Sequence, residues 1–267
     1  MPTLNKTTET KTSRNHVRRA PWRWAAVWGA LWALLPALAH AEPETPIAAL
    51  QKTLTQHWKD IRALRGDISL SGDAGLLPGI PLQSDGSGTL SAMKSGKTLL
   101  VRLDLTNTVS VRSETQSAGL RQRIVTVFDG TTQNTLTEMF GQKLLTQSEP
   151  AVNFAALAPL TGEALFRMLD EDYALSILPE QKVDGQTTHV LQGVLRTAYD
   201  NGLEPGSKLT LWFRARDGMP IMTRMTDAHG ATVLQIHYAN IQKNPPLTRE
   251  SFSLHAPPNA VVADQTR

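Results

Sequence analysis

Cysteine is absent from the 267-residue sequence, and this absence excludes several classes of protein. Without a thiol there is no disulfide-stapled scaffold, no thiol nucleophile, no cysteine-ligated zinc and no N-terminal lipidated cysteine. Aromatic residues are few, at 6%, and no apolar run reaches the roughly 20 residues of a membrane-spanning helix. The chain is 40% hydrophobic and 19% charged, which is typical of a globular protein.

The first 41 residues have the pattern of a secretory signal peptide. Six Lys and Arg face one Glu in residues 1–23, and an apolar run follows from Trp24 to Leu38, ahead of Ala39-His40-Ala41. A basic start, a short apolar middle and an A-x-A exit predict cleavage after Ala41 and export to the periplasm. A membrane anchor is the alternative, but fifteen helical residues rise roughly 22 Å against a hydrocarbon core of about 30 Å. A single domain over residues 42–267 is the expected remainder.

The formal charge of +3 belongs to the predicted signal peptide. Residues 42–267 carry 21 Lys and Arg against 23 Asp and Glu, a net charge of −2. A basic surface of the kind that nucleic-acid binding requires is therefore not indicated, and we expect no nucleic-acid partner.

Hydrophobic periodicity predicts one long helix followed by strands. Apolar residues at spacings of three and four indicate an amphipathic helix over Ile47–Leu64, begun by Thr45-Pro46. Period-two alternation predicts strands at Leu99–Leu105, Ile124–Phe128, His189–Val194, Lys208–Arg214, Ile221–Thr226 and Thr232–Asn240, and a last strand around Phe252 and Leu254.

Two further segments depart from this alternation. Residues 153–169 are predicted to form one or two short helices broken by Pro159 and Gly162, and Asp73–Gly88 is predicted to be a loop rich in Gly and Pro. Short intervals between the strands after residue 208 indicate an antiparallel meander. The sequence thus predicts a mainly β fold with an α cover (α+β), in which the helices lie on one apolar face of the sheet.

The sequence contains none of the common catalytic or cofactor-binding motifs. There is no dinucleotide fingerprint, P-loop, HExxH, EF-hand loop or GxSxG. Five histidines remain after residue 41, none within five residues of another, and the cluster Asp170-Glu171-Asp172 is more typical of a solvated helix end than of a cation site. We therefore predict no catalytic residues, no metal site and no cofactor, and a protein that is not an enzyme.

Several short motifs resemble, in their order and spacing, those of the outer-membrane lipoprotein carrier (LolA) family. The residues that carry the resemblance are Gly88-Thr89-Leu90, the strand running into Asp129-Gly130-Thr131-Thr132, Val183-Asp184-Gly185, the turn Arg216-Asp217-Gly218, and the ending from Phe252 through Pro257 and Asn259 to Val262. The resemblance covers about residues 45–265. It differs where the family has an Arg that holds its helical lid closed, because Lys94 stands there and lysine lacks the bidentate guanidinium fork.

The resemblance implies an incomplete antiparallel β-barrel, a strongly curved sheet capped by helices, with an apolar cleft between sheet and cover. The implied cleft residues are Leu103, Leu105, Leu209, Leu211, Phe213, Met225, Leu234, Ile236 and Tyr238, and the implied lid residues are Trp58, Phe154, Leu157, Leu165 and Phe166. Lys94 is the candidate latch. The alternative is that the same side chains fill the interior and leave no cleft.

The function implied is that of a monomeric periplasmic carrier. It would bind the acyl chains of a lipoprotein or lipid cargo and move them from an inner-membrane donor protein to an outer-membrane acceptor protein without covalent chemistry. The sequence leaves three alternatives open, which are a lipid sensor that signals to a regulatory partner, a hydrolase of envelope lipids, and a structural envelope protein with a filled core.

Overall fold

The structure is a computed structural model that describes residues 45–73, 82–111, 119–148, 158–197 and 203–264. One helix precedes six strands, two short helices follow, and six more strands complete the chain. The elements are α1 Pro46–Trp58, β1 Ala63–Asp73, β2 Leu82–Ser95, β3 Thr98–Val111, β4 Gly119–Phe128, β5 Gln133–Met139, β6 Gln142–Ser148, α2 Ala158–Thr161, α3 Glu163–Asp172, β7 Tyr173–Val183, β8 Gln186–Leu195, β9 Lys208–Arg214, β10 Pro220–Thr226, β11 Thr232–Lys243 and β12 Val261–Asp264.

All twelve strands form one curved, unclosed sheet in the order β12-β6-β5-β4-β3-β2-β1-β11-β10-β9-β8-β7. Neighbouring strands pair antiparallel except β12, which pairs parallel with β6. The fold is mainly β with a helical cover, so the predicted fold class is confirmed. The sheet has two ends along the strand direction. We call the end where β1 begins and β9 turns into β10 the tethered end, and the opposite end, where β1 stops and β11 begins, the distal end.

The concave face of the sheet carries the largest core. Leu54, Trp58 and Ile61 from α1 and its exit pack against inward-facing strand residues such as Leu105 and Phe213, and α2 and α3 add four more buried side chains, Leu160, Leu165, Phe166 and Leu169. Because side chains alternate along a strand, the inward residues of neighbouring strands form rows across this face. The helices are therefore held by apolar burial against one side of the sheet.

The convex face has its own smaller core beneath the C-terminal segment. Leu100, Val125, Val127, Leu136 and Leu145 pack with Phe252, which lies in a short 3-10 helix, Arg249–Phe252. The Arg102 guanidinium donates hydrogen bonds to the carbonyls of Ser251 and Ser253. The segment that leads to β12 is thus fastened across the back of the sheet.

The prediction of a loop over Asp73–Gly88 is wrong for Asp73, which ends β1, and for its last seven residues. Leu82–Gly88 belongs to the 14-residue strand β2, and the segment 74–81 lies outside the described residues. A Cβ on Gly88 would lie 1.8 Å from the carbonyl oxygen of Asp104 on β3. Glycine at this position therefore permits the close approach of two backbones in the curved sheet. The prediction treated it as a turn residue.

Other boundaries also differ from the sequence predictions, since β3, β4, β8 and β11 run longer than predicted. The last strand is β12 and not the predicted strand around Phe252 and Leu254. Phe252 is instead the last residue of a 3-10 helix. Helix α1 ends at Trp58, six residues before the predicted Leu64, since Ile61 and Leu64 continue the apolar face in extended backbone leading into β1.

Candidate functional site

Helix α1 is fixed to the sheet by a hydrogen bond from the indole of Trp58. The Nε1–H of Trp58 donates to the carbonyl oxygen of Gly218 over 2.9 Å in a buried contact, and its ring lies 5.7 Å from that of Phe213. Gly218 has φ +68, and a Cβ there would lie 3.0 Å from the Trp58 Nε1 and 3.1 Å from the Leu54 Cδ2. The β9–β10 turn therefore needs glycine both for its conformation and for the approach of α1.

A second fastening lies just after the helix. The Asn244 side-chain oxygen accepts the backbone N–H groups of Arg62 and Ala63 over 2.7 and 3.1 Å. Its amide nitrogen donates to the carbonyl of Asp60 over 3.0 Å. The left-handed φ of +52 at Asn244 suits an Asn. The C-terminal end of α1 is therefore held at the tethered end of the sheet.

Most of the sequence-predicted cleft and lid residues lie together on the concave face. Those packed in or against its core are Leu103, Leu105, Leu209, Leu211, Phe213, Met225, Ile236 and Tyr238 from strands, with Trp58, Leu165 and Phe166 from helices. Leu234 pairs in register with Met225 and with Gly72 and is half-buried. Phe154 and Leu157 lie outside the described residues. Whether the cleft and lid residues bind a ligand stays a prediction.

Burial on the concave face falls towards the distal end along β1, whereas Tyr173, Leu195 and Leu209 at the distal end of β7–β9 stay buried. Leu64, Ala92 and Val101 form a row near the tethered end with exposures of 5%, 0% and 2%. Six residues along β1, Leu70 is half-buried, as is its β11 partner Ile236. The apolar surface thus continues past the part that is fully covered. We call this half-buried part of the concave face the trough, and it consists of Leu70, Leu103, Ile124, Met225, Leu234, Ile236 and Tyr238.

The helical cover is divided by an open groove between α1 and α3. The groove has a volume of about 1030 Å³, and its apolar lining includes Ile47, Ala164, Phe166 and Leu175. Gly162, between α2 and α3, has φ +60 and ψ −126, a conformation essentially restricted to glycine. The link between α2 and α3 therefore has a backbone conformation that residues other than glycine rarely adopt.

Two ionisable side chains of the predicted site have shifted pKa values. Burial raises the pKa of the Tyr238 phenol to about 12, and a contact of 3.3 Å with the Thr223 hydroxyl is a smaller effect that lowers it. The pKa of Lys94 is lowered, first by loss of hydration and second by the nearby charge of Arg62. The described residues offer the Lys94 ammonium no hydrogen-bond or ion-pair partner, so its latch role stays a prediction.

Sequence reasoning missed β5, β6 and β7, and also β1, which forms the middle of the concave face. β1 contributes Leu64, Ile68 and Leu70, which alternate with polar residues and carried the period-two signal in the sequence. The strand was not recognised because the predicted helix extended to Leu64, which lies in β1. Within the described ranges no group of three His, Asp or Glu side chains is arranged to hold a metal ion. No helix among them is long and apolar enough to cross a membrane.

Comparison with known proteins gives similarity at the level of architecture. No family model matches the chain, and neither does any curated protein. An uncharacterized conserved protein from Thermus thermophilus has a TM-score of 0.43 at 13% identity, over 81% of this chain and 99% of that one. A putative outer membrane lipoprotein-sorting protein domain from Vibrio parahaemolyticus has a TM-score of 0.29 at 13% identity, over 77% and 94%.

A chain of the Pseudomonas aeruginosa MucA/MucB complex has a TM-score of 0.40 at 14% identity. The match covers 77% of this chain and 59% of that one, so this chain spans less than two thirds of it. The curved, unclosed sheet with its helices on the concave side agrees with the architecture that the sequence resemblance implied.

Proposed function

We propose that this protein is a periplasmic carrier that binds the acyl chains of a lipoprotein or lipid in the trough. The observation that carries the proposal is the half-buried apolar row at the distal end of the concave face, which includes Leu70, Met225 and Ile236. Apolar side chains that remain half-exposed inside a curved sheet gain about 25 cal/mol for each Å² that a ligand removes from water. An acyl chain gains about 0.8 kcal/mol per buried methylene.

The chemistry of the trough favours hydrocarbon over a polar ligand. Its polar groups are paired within the protein, as the Tyr238 hydroxyl is with the Thr223 hydroxyl, and burial keeps the phenol neutral. The side chain of Asn107 lies further along β3 and accepts a hydrogen bond from Ser84 over 2.9 Å. A cargo would therefore bind by its chains, leaving its polar head at the distal end of the sheet.

Release of such cargo needs a cover that opens reversibly. Helix α1 is fastened at two points, whereas α3 faces α1 across an open groove and joins α2 through Gly162. We infer that α2 and α3 move and that α1 stays on the sheet. Transfer from an inner-membrane donor to an outer-membrane acceptor, by a monomer and without covalent chemistry, completes the proposal.

The test is native mass spectrometry of the protein purified from periplasm without detergent, followed by organic extraction and by titration with a fluorescent fatty acyl probe. Ile236→Trp places a large ring in the trough and should weaken probe binding by roughly tenfold or more. Val233→Trp, on the opposite face of the same strand, is the matched control and should leave binding unchanged.

Two results would contradict acyl binding in the trough. An apo mass with no probe uptake by the wild-type protein would mean that the interior is filled, as in a structural envelope protein. Equal loss of binding in Ile236→Trp and Val233→Trp would place the probe outside the trough. Probe uptake without delivery to acceptor membranes would retain lipid binding and favour a lipid sensor over a carrier.

A further inference from the structure

The hairpin between β5 and β6 ends in a phenylalanine that faces solvent. Phe140 is 79% exposed, and Phe140 and Gly141 form a two-residue turn with φ values of +51 and +74. Two positive φ values define the type I′ hairpin, in which Asn-Gly or Asp-Gly is preferred. Local structure therefore does not require an aromatic residue here.

The β7–β8 hairpin supplies an internal comparison. Its turn, Asp184-Gly185, has φ values of +50 and +74, the same geometry with the preferred residues. Both turns hold their strands in antiparallel register, so a polar residue serves the backbone at least as well as Phe140. A bulky aromatic residue in this strained, exposed position indicates a role outside folding.

Positive charge surrounds this turn on the convex side. Arg121, Arg123 and Lys143 line an open groove of about 730 Å³ together with Phe140. Glu138 is the carboxylate of the groove, at 3.7 Å from Arg123 and 3.9 Å from Lys143. Three cations against one carboxylate leave a surplus of two positive charges next to the exposed ring, although the chain from residue 42 onward is net negative.

The hairpin lies at the distal end of the sheet. β5 starts opposite Phe128 at the tethered end and passes Arg123 before it reaches Met139, so the turn projects in the direction in which burial along β1 decreases. An exposed aromatic residue and unbalanced cations therefore occupy the end at which the trough is least covered.

We propose that the β5–β6 turn and its cations, which we call the docking tip, bind the surface of an anionic lipid bilayer. Phe140 would enter the boundary between headgroups and acyl chains, and Arg121, Arg123 and Lys143 would face lipid phosphates. A single projecting ring with cations beside it matches a soft planar surface of negative charge. The inference goes beyond acyl binding and stands on the hairpin, so either proposal can fail without the other.

Vesicle flotation of the full chain tests the docking tip. We expect the protein to float with vesicles that contain phosphatidylglycerol, to float poorly with phosphatidylcholine alone, and to be released by added salt. Phe140→Asn keeps a residue that tolerates positive φ and should lower vesicle partitioning by at least roughly tenfold. Arg121→Gln should lower it by roughly fivefold.

Matched controls lie at the other end of the sheet and on the helices. Lys97→Gln removes an exposed cation near the β2–β3 turn, and Met168→Gln removes an exposed apolar side chain of α3. Both should float as the wild type does. The fluorescent acyl probe should bind Phe140→Asn as it binds the wild type, which separates docking from failure of the trough.

Four outcomes would overturn the proposal. The wild-type protein could fail to float with anionic vesicles, or Phe140→Asn and Arg121→Gln could float as well as Lys97→Gln. A concentration-dependent dimer in analytical ultracentrifugation that is lost in Phe140→Asn would assign the docking tip to a second copy of the chain. Binding to an acidic protein with no affinity for vesicles would assign it to a protein partner.

Discussion

Removing the indole N–H of Trp58 tests whether α1 is held at the tethered end. Trp58→Phe keeps an aromatic ring against Phe213 but leaves the buried carbonyl of Gly218 without its donor, which costs about 1–3 kcal/mol. The missing ring atoms leave unfilled space worth about 1 kcal/mol more. We expect the free energy of unfolding to fall by about 3 kcal/mol, and Tm to fall by about 6–12 °C for a domain of this size.

Urea unfolding followed by far-UV circular dichroism measures the loss without depending on the mutated tryptophan. Gln56→Ala, on the exposed side of α1, should change the free energy of unfolding by less than about 0.5 kcal/mol. Gly218→Ala forces a Cβ towards the indole, so it should be less damaging when Trp58 is already Phe. A change below about 0.5 kcal/mol in Trp58→Phe, or additive effects in the double variant, would refute the reasoning.

Three further predictions follow from separate contacts. Asn244→Ala removes the acceptor for Arg62 and Ala63 and should destabilise the fold by about 1–3 kcal/mol in the same urea assay, whereas no change would mean that water replaces the side chain. Gly88→Ala meets the backbone of Asp104 and should cost at least about 2 kcal/mol, while Ser87→Ala, on the opposite face, should cost little. The Tyr238 pKa of about 12 lies above the ordinary value of 10, so its contribution to stability is full below pH 10 and is lost as the pH rises from about 10 to about 12. Absorbance titration at alkaline pH should show this late step in the wild type and not in Tyr238→Phe.

Strand bounds were predicted most accurately where period-two alternation ends directly at a recognisable turn. β9 has the predicted bounds, Lys208–Arg214, because strict alternation runs directly to the Asp217-Gly218 turn. The first half of β2, Leu82–Gly88, was predicted as a loop because glycine is common both in turns and in strands whose backbones approach closely. The bond between Trp58 and Gly218 joins positions 160 residues apart, and no local pattern encodes it. Burial of the concave residues could be expected from periodicity, but the decrease towards the distal end depends on how far the helices reach.

The parallel pairing of β12 with β6 bears on self-association of the chain. Without β12, the seven-residue β6 would present a free row of amide and carbonyl groups, with Leu144 already 40% exposed. Free strand edges recruit other strands and lead to swapped or aggregated chains. A protein shortened before Val261 would keep the core beneath its helices and still lose solubility. The last described strand, four residues long, thus covers an edge of the sheet that would otherwise be open to pairing with another chain.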